Sequence, residues 1–206
     1  MKITKFGHAC VRLDKGGHAL VIDPGLMTPE LEATADVDAI LITHEHFDHF
    51  DPDRLTTSRA PIYTCPGVAR HLSELGERVH VVGAGEKISI GGFDIVIAGE
   101  KHHVSNLDTP PVDNVGFLVD GEVFHPGDAL TDIEVPTLLL PGQAPWLTAP
   151  AMADYLRRVA PARAYAIHDG LLNEWGLQVL DSVLAYEAER AGTDIRRLAP
   201  GESVEV

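Results

Sequence analysis

Thr43-His44-Glu45-His46-Phe47-Asp48-His49 is the stretch of sequence from which the fold can be inferred. It follows Asp38-Ala39-Ile40-Leu41-Ile42, a short apolar and β-branched segment that is typical of a buried strand. It precedes Asp51-Pro52, which indicates a turn or the start of a helix. The stretch is therefore predicted to be a loop at the carboxyl end of a strand, where a sheet holds it rigidly and a cleft can expose it.

Four side chains of this loop can bind a metal, namely His44, His46, Asp48 and His49. Imidazole and carboxylate together suit Zn²⁺, Mn²⁺ or Fe²⁺ without a thiolate. In an extended backbone His44 and His46 lie on one side, whereas Asp48 and His49 follow the turn and can serve a second ion. A surface loop that is rich in histidine by chance is the alternative, and further candidate ligands downstream argue against it. A zincin helix is disfavoured because it requires His-Glu-x-x-His, and Asp48 stands where the second histidine should be.

The pattern His-x-His-x-Asp-His after an apolar strand resembles the motif of the metallo-β-lactamase fold superfamily, and the resemblance extends over nearly the whole chain. It implies a four-layer αββα sandwich, in which two mixed β-sheets lie face to face with helices outside. Gly-His-Ala at residues 7–9, Phe-His-Pro-Gly-Asp at 124–128 and Ile-His-Asp at 167–169 most resemble one branch of metal-dependent hydrolases. That branch is related to ascorbate-6-phosphate lactonase and N-acyl-phosphatidylethanolamine phospholipase D.

The resemblance also implies a binuclear metal site with seven ligands. One ion is expected on His44, His46 and His102, and the other on Asp48, His49 and His168, with Asp128 bridging them. Zinc is the expected metal, and manganese or iron are the alternatives. A hydroxide shared by the two ions, whose parent water has its pKa lowered toward about 7, would attack a carbonyl carbon or a phosphorus. Asp48 and Asp128 are the expected catalytic residues.

The third histidine ligand has two candidates in Gly99-Glu100-Lys101-His102-His103, which follows the predicted strand Phe93–Ala98. Adjacent side chains point in opposite directions in an extended backbone, so only one of the two rings can join His44 and His46. The Gly-Glu-x-His pattern of similar sequences favours His102. Five further residues are expected to border the cleft or to orient a ligand: His8, Asp23, His103, His125 and Trp146.

The composition predicts one domain over residues 1–206, with 45% hydrophobic residues available for a core. The formal charge of −15 disfavours binding to nucleic acid or to an anionic membrane surface. No signal peptide and no membrane-spanning stretch is evident. Cys10 and Cys65 lie in apolar contexts and belong to no Cys-x-x-Cys pair, so buried free thiols in the cytoplasm are expected. A homo-oligomer is left open.

The expected function is a metal-dependent hydrolase that cleaves an ester, lactone or phosphodiester bond of a small molecule. The alternative is a non-catalytic, metal-stabilised binding or regulatory domain of the same fold, although a structural site needs only one closed tetrahedral ion. A periplasmic β-lactamase is disfavoured by the missing export signal. A glyoxalase or a flavo-diiron reductase is disfavoured by the length of the chain.

Local patterns predict several elements outside the site. Helices are expected at Pro66–Leu75, from Thr148 to about Ala160, and at 176–191. Residues 29–38 are predicted to be a loop or a short helix. Asp120-Gly121 predicts a hairpin turn that leads to His125 and Asp128.

Overall fold

The computed structural model describes residues 1–29, 31–104 and 106–206, and the side chain of Leu31 is outside this description. In these residues fourteen strands form two sheets of seven. The first sheet has the strand order β14-β1-β2-β3-β4-β5-β6. Its strands are β1 Lys2–Gly7, β2 Cys10–Lys15, β3 His18–Ile22, β4 Ala39–Ile42, β5 Ile62–Thr64, β6 Val79–Val81 and β14 Ser203–Glu205.

The second sheet has the strand order β13-β12-β11-β10-β9-β8-β7. Its strands are β7 Lys87–Ile90, β8 Phe93–Ala98, β9 Gly116–Val119, β10 Val123–His125, β11 Thr137–Pro141, β12 Arg163–Ile167 and β13 Asp194–Arg197. Both sheets are mixed: an antiparallel part formed by hairpins continues into a part in which successive strands are parallel. The predicted sandwich of two mixed sheets with flanking helices is confirmed.

The strand directions bring every connection that carries a candidate site residue to one edge of the sandwich. β3 and β4 are parallel, and β1 points the same way because it is two antiparallel steps from β3. In the second sheet β10, β11 and β12 are parallel, and β8 is likewise two antiparallel steps from β10. The carboxyl ends of these seven strands therefore meet at the same edge. The turns at 16–17, 91–92 and 120–121 lie at the opposite edge.

One large apolar cluster joins the two sheets. It combines Ile3, Ile40 and Leu41 of the first sheet with Phe93 and Phe117 of the second, all with no exposed surface. A buried side chain of this size contributes about 1.5–3 kcal/mol relative to an exposed one. The cluster supports the strands that end in the site.

The helices cover the sheets. Two short helices follow strands of the first sheet, α1 Pro52–Thr57 and α2 Pro66–Ala69. Two longer helices follow strands of the second sheet, α3 Ala149–Val159 and α4 Glu174–Ala191. Leu55 and Val68 of the first two helices belong to the same cluster that joins the two sheets, whereas α3 and α4 pack in a second apolar cluster with β11 and β12. The Thr148 hydroxyl caps α3 and the Asn173 side chain caps α4, as their residue types favour.

The predicted helix at Pro66–Leu75 is wrong in its extent. The α-helix ends at Ala69, and a 3₁₀ segment follows at Ser73–Arg78. The backbone tightens in between, because the N–H of Leu72 donates to the carbonyl of Ala69. At 29–38 the structure has a 3₁₀ turn, Leu31–Thr34, while residue 30 lies outside the described residues. No described helix combines the length and apolar character needed to cross a membrane.

Candidate metal centre

Histidine and aspartate side chains from five connections converge at the edge where the strands end. Two groups form there, and within each group one nitrogen or oxygen per residue lies within 4.8 Å of the others. One group contains His8, Asp48, His49 and His168, and the other contains His44, His46, His102 and Asp128. All seven predicted ligands are therefore brought together, and His8 joins them.

The Asp128 carboxylate lies between the two groups. Its Oδ1 is 3.1 Å from Nε2 of His49, and its Oδ2 is 3.2 Å from Nε2 of both His102 and His168. Asn114 fixes its position, because the Asn114 Oδ1 accepts from the Asp128 amide at 3.0 Å. A carboxylate placed in this way faces nitrogen atoms of both groups at once, as the predicted bridging position requires.

Four of the rings share one arrangement, and we call them the open histidines: His44, His49, His102 and His168. In each, the Nδ1–H donates to an oxygen, and Nε2 faces the centre. Nε2 of His44 lies 3.1 Å from Nδ1 of His46, which belongs to the same group of candidate ligands. The acceptors are the Thr43 hydroxyl, the Asp23 carboxylate and the backbone carbonyls of His103 and Gln143. Such a partner fixes the tautomer and the ring orientation of a metal-binding histidine.

Two further rings, His8 and His125, are engaged through both nitrogens, and we call them the engaged histidines. The Gly170 amide donates to Nδ1 of His8 at 3.0 Å, so in the neutral ring Nε2 carries the hydrogen and donates to Asp48 Oδ2 at 3.0 Å. The Gly127 amide donates to Nδ1 of His125, whose Nε2 donates to the Ala9 carbonyl. Neither ring has a free lone pair, so His8 orients Asp48 and His125 supports the turn before Asp128.

Asp23 is a buried junction beneath the metal loop. Its carboxylate accepts from the Thr43 amide at 2.8 Å, from the Thr43 hydroxyl at 2.7 Å and from His49 Nδ1 at 2.7 Å. The Thr43 hydroxyl in turn accepts from Nδ1 of His44. One carboxylate therefore orients two open histidines, directly and through Thr43.

Charge is balanced closely in the centre. Burial alone would lower the pKa of His49, but Asp128 and Asp23 outweigh it and hold that pKa well above its usual value. Burial would also lower the pKa of His168, but the nearby carboxylates of Asp128 and Asp48 outweigh it and raise that pKa to about 9. The pKa of Asp128 lies well below its ordinary value, because the nearby rings of His49, His102 and His168 outweigh the effect of burial. The centre is thus arranged to hold positive charge between carboxylates.

The buried polar atoms of the centre fit a metal. Nε2 of His49, His102 and His168 and Oδ1 of Asp128 are buried and make no hydrogen bond to another group of the described residues. Buried polar atoms of this kind are costly unless something pairs with them. Imidazole nitrogen and carboxylate oxygen are a donor set suited to zinc, manganese or iron.

His102 and His103 lie on different sides of the backbone. His102 is buried beside Asp128, whereas the His103 ring stacks on Trp146 at 4.9 Å with an angle of 20° between the planes. The Trp146 indole N–H donates to Asp128 Oδ2 at 2.9 Å. His103 and Trp146 therefore form an aromatic wall next to the centre.

Backbone strain is concentrated in the same place. His8, Asp23 and His168 have φ values of 44°, 51° and 59°, in the left-handed region that non-glycine residues rarely adopt. Such conformations cost on the order of 1–3 kcal/mol each and persist where the surroundings enforce them. Here they turn three side chains towards the centre directly after β1, β3 and β12.

Sequence reasoning missed several supporting groups. Asn114 holds both the Asp128 amide and the Pro126 carbonyl, and the Gln143 carbonyl accepts from His168. Lys5 is buried and pairs with Asp169 at 2.6 Å, which joins β1 to the residue after His168. No local pattern distinguishes these residues, because their partners are distant in the sequence.

Comparison with known proteins gives the same fold and a family. Residues 2–168 match the family described as the β-lactamase superfamily domain. Protein Rv0786c of Mycobacterium tuberculosis is 36% identical over 184 residues, which cover 84% of this chain and 85% of that protein. A UPF0173 metal-dependent hydrolase of Methanosphaerula palustris is 32% identical over 136 residues, which cover 62% of this chain and 60% of that protein.

The architecture is also found in a solved structure. Igni18, a metallo hydrolase from Ignicoccus hospitalis, superposes with a TM-score of 0.73 at 20% identity, covering 98% of this chain and 97% of that one. At this identity the similarity establishes the fold alone.

Proposed function

The chain belongs to the β-lactamase superfamily and is a metal-dependent hydrolase, and we propose that it uses two divalent ions to cleave an ester, lactone or phosphodiester bond of a small molecule. One observation carries this proposal: the unpaired Nε2 atoms of His49, His102 and His168 converge on the Asp128 carboxylate. A core held together by ordinary hydrogen bonds would not need three buried rings whose Nε2 atoms all face one carboxylate.

In this proposal His44, His46 and His102 would hold one ion, Asp48, His49 and His168 would hold the other, and Asp128 would serve both. Zinc is the expected metal, with manganese or iron as alternatives. When bound, such ions supply an activated water near neutral pH and stabilise negative charge on the substrate oxygen.

The residues of the chain would orient and protect this chemistry. His8 donates to Asp48 Oδ2 at 3.0 Å and thereby orients that carboxylate. Trp146 and Asn114 hold Asp128 in position. Cys10 is no candidate nucleophile, because burial raises the pKa of its thiol to about 12. Two buried free thiols are compatible with the expected cytoplasmic location.

A metal-removal experiment tests the proposal. Chelator-treated protein is dialysed and then assayed with p-nitrophenyl acetate, dihydrocoumarin and bis-p-nitrophenyl phosphate before and after zinc, manganese or iron is restored. We expect turnover of at least one substrate only after metal is restored, with Asp128→Asn as the matched control that stays inactive. Metal binding without turnover of any substrate class would instead favour the non-catalytic binding or regulatory domain.

A further inference from the structure

Exposed hydrophobic side chains are frequent on the connections that carry the candidate metal centre. Nine large hydrophobic residues are exposed in the described part of the chain, and five of them lie on connections that carry site residues. We call these five the apolar rim: Leu26, Phe47, Val104, Leu107 and Leu171, with exposed fractions between 49% and 95%. Single exposed apolar side chains are ordinary, but this concentration at one edge marks a binding surface.

Backbone contacts tie the rim to the centre. The Leu26 amide donates to the Phe47 carbonyl at 2.8 Å, and Phe47 lies between two candidate ligands in the sequence. Gly25 lets these segments touch, since a Cβ there would come within 2.2 Å of the Asp48 carbonyl oxygen. Leu171 follows Gly170, whose amide holds the His8 ring. Rim residues from three connections are therefore fixed beside the groups that would act on a substrate.

The aromatic wall belongs to the same surface. His103 stacks on Trp146, and Val104 directly follows His103 with about half of its surface exposed. Trp146 reaches Asp128 through its indole N–H. A substrate whose reacting group lies at Asp128 would thus meet apolar and aromatic surface as it extends outwards.

Positive side chains are scarce on the same connections. Residues 8–9, 23–38, 43–51, 99–115, 126–136, 142–148 and 168–173 contain a single Lys or Arg, namely Lys101. Lys101 donates to Asp113 at 2.6 Å and is already paired. Enzymes that bind phosphate or carboxylate groups of a substrate usually place Arg or Lys against them. Arg70, from a neighbouring segment, is paired with Glu45 of the metal loop at 3.4 Å. The described residues of these connections therefore hold no unpaired Lys or Arg for that purpose.

We propose that the substrate is an uncharged carboxylic ester or lactone with an apolar alkyl or aryl group, and that the apolar rim contacts that group. This inference rests on the proposed hydrolase function and selects among its bond types. In the reaction the acyl C–O bond breaks, the hydroxyl of water joins the acyl carbon, and the remaining proton goes to the leaving alcohol oxygen.

A chain-length series tests the substrate class. The metal-loaded protein is assayed with p-nitrophenyl acetate, butyrate and octanoate, the anionic p-nitrophenyl hemisuccinate, and bis-p-nitrophenyl phosphate. Each fully buried methylene is worth roughly fourfold in affinity, so we expect kcat/KM for octanoate to exceed that for acetate by about tenfold or more. Equal values along the series, or a preference for either anionic substrate, would overturn the proposal.

Rim variants test the surface itself. Leu26→Ser and Leu171→Ser should each lower kcat/KM for octanoate about threefold to tenfold and leave acetate nearly unchanged. The matched control is Tyr186→Ser, at an exposed residue on α4 that lies on none of the site connections, which should change neither value. An equal loss for acetate and octanoate would show that the rim supports the fold rather than the substrate.

A binding measurement separates this inference from the proposed function. Dissociation constants of methyl and hexyl trifluoromethyl ketone, two uncharged ester mimics, are measured on the metal-loaded protein by calorimetry. We expect tighter binding of the hexyl compound, and a weaker preference in Leu171→Ser. If no ester is turned over but this preference holds, the hydrolase proposal fails and the apolar surface stands. If metal-dependent turnover occurs without any preference, the surface proposal fails alone.

Discussion

The open histidines and the engaged histidines are equally buried at one edge of the sandwich, yet only the open ones can offer a nitrogen to a metal. The difference lies in the group that contacts Nδ1 of each ring. Where Nδ1–H donates to an oxygen, Nε2 of the neutral ring carries no hydrogen. Where Nδ1 accepts from a backbone N–H, the hydrogen of the neutral ring is on Nε2. His8 lies close enough to be mistaken for a ligand, and the Gly170 amide is what excludes it.

The largest effect is expected at Asp128, where the Nε2 atoms of three open histidines meet. Asp128→Ala should lower hydrolysis by more than about a hundredfold, beyond the usual cost of losing a supporting partner. The chain should remain folded, because the apolar cluster that joins the two sheets does not depend on this carboxylate. Ester turnover and thermal melting measured side by side check this, and turnover like that of the parent protein would refute the bridging role.

His102 and His103 provide a matched pair within one segment. The reconstituted protein should hold about two ions per chain, since seven candidate ligands exceed one tetrahedral ion. His102→Ala should remove about one ion and most activity, because it deletes an open ring. His103→Ala should keep the metal and change mainly KM, because its ring stacks on Trp146. Elemental analysis decides, and loss of metal in His103→Ala alone would reverse the assignment.

A smaller effect is expected at His8, the engaged ring next to Asp48. His8→Ala should lower kcat by about tenfold to a hundredfold while the metal content stays near that of the parent. His8→Gln should restore part of kcat, because an amide N–H can replace the donor to Asp48. A loss of one ion in both variants would show that His8 is a ligand after all.

The smallest effect on metal is expected at His125, whose substitution should affect folding instead. His125→Ala leaves the Gly127 amide and the Ala9 carbonyl without their partner, so the free energy of unfolding should fall by about 1–3 kcal/mol. Metal content should be unchanged. Urea unfolding and elemental analysis of the same preparation measure both quantities, and a loss of metal without a loss of stability would contradict this role.

The fold and the clustering of the candidate ligands could be predicted from the sequence, because both follow from where the strands lie and end. Apolar runs before His44, Asp128 and His168 indicate strands, and the family motif indicates how they are arranged. The preference for His102 also came from spacing, and its ring lies beside Asp128. The ligand roles themselves, the metal and the extent of the domain stay predictions.

The features that could not be predicted from the sequence depend on contacts between distant parts of the chain. The state of the His8 ring is set by Gly170, 162 positions away, and Lys5 pairs with Asp169 across 164 positions. No local pattern encodes such pairs. The helix predicted at Pro66–Leu75 failed for a related reason, since helix propensity does not reveal where the backbone tightens into a 3₁₀ segment.

The tight turns at 16–17, 91–92 and 120–121 lie at the edge opposite the centre, and Gly16, Gly17 and Gly121 have open space around them. That arrangement offers a handle for immobilisation. A tether or fluorescent label at Gly16 or Gly121 would orient every molecule on a support with its reactive edge towards the solution. An array of this kind could screen ester libraries without the attachment chemistry obstructing entry.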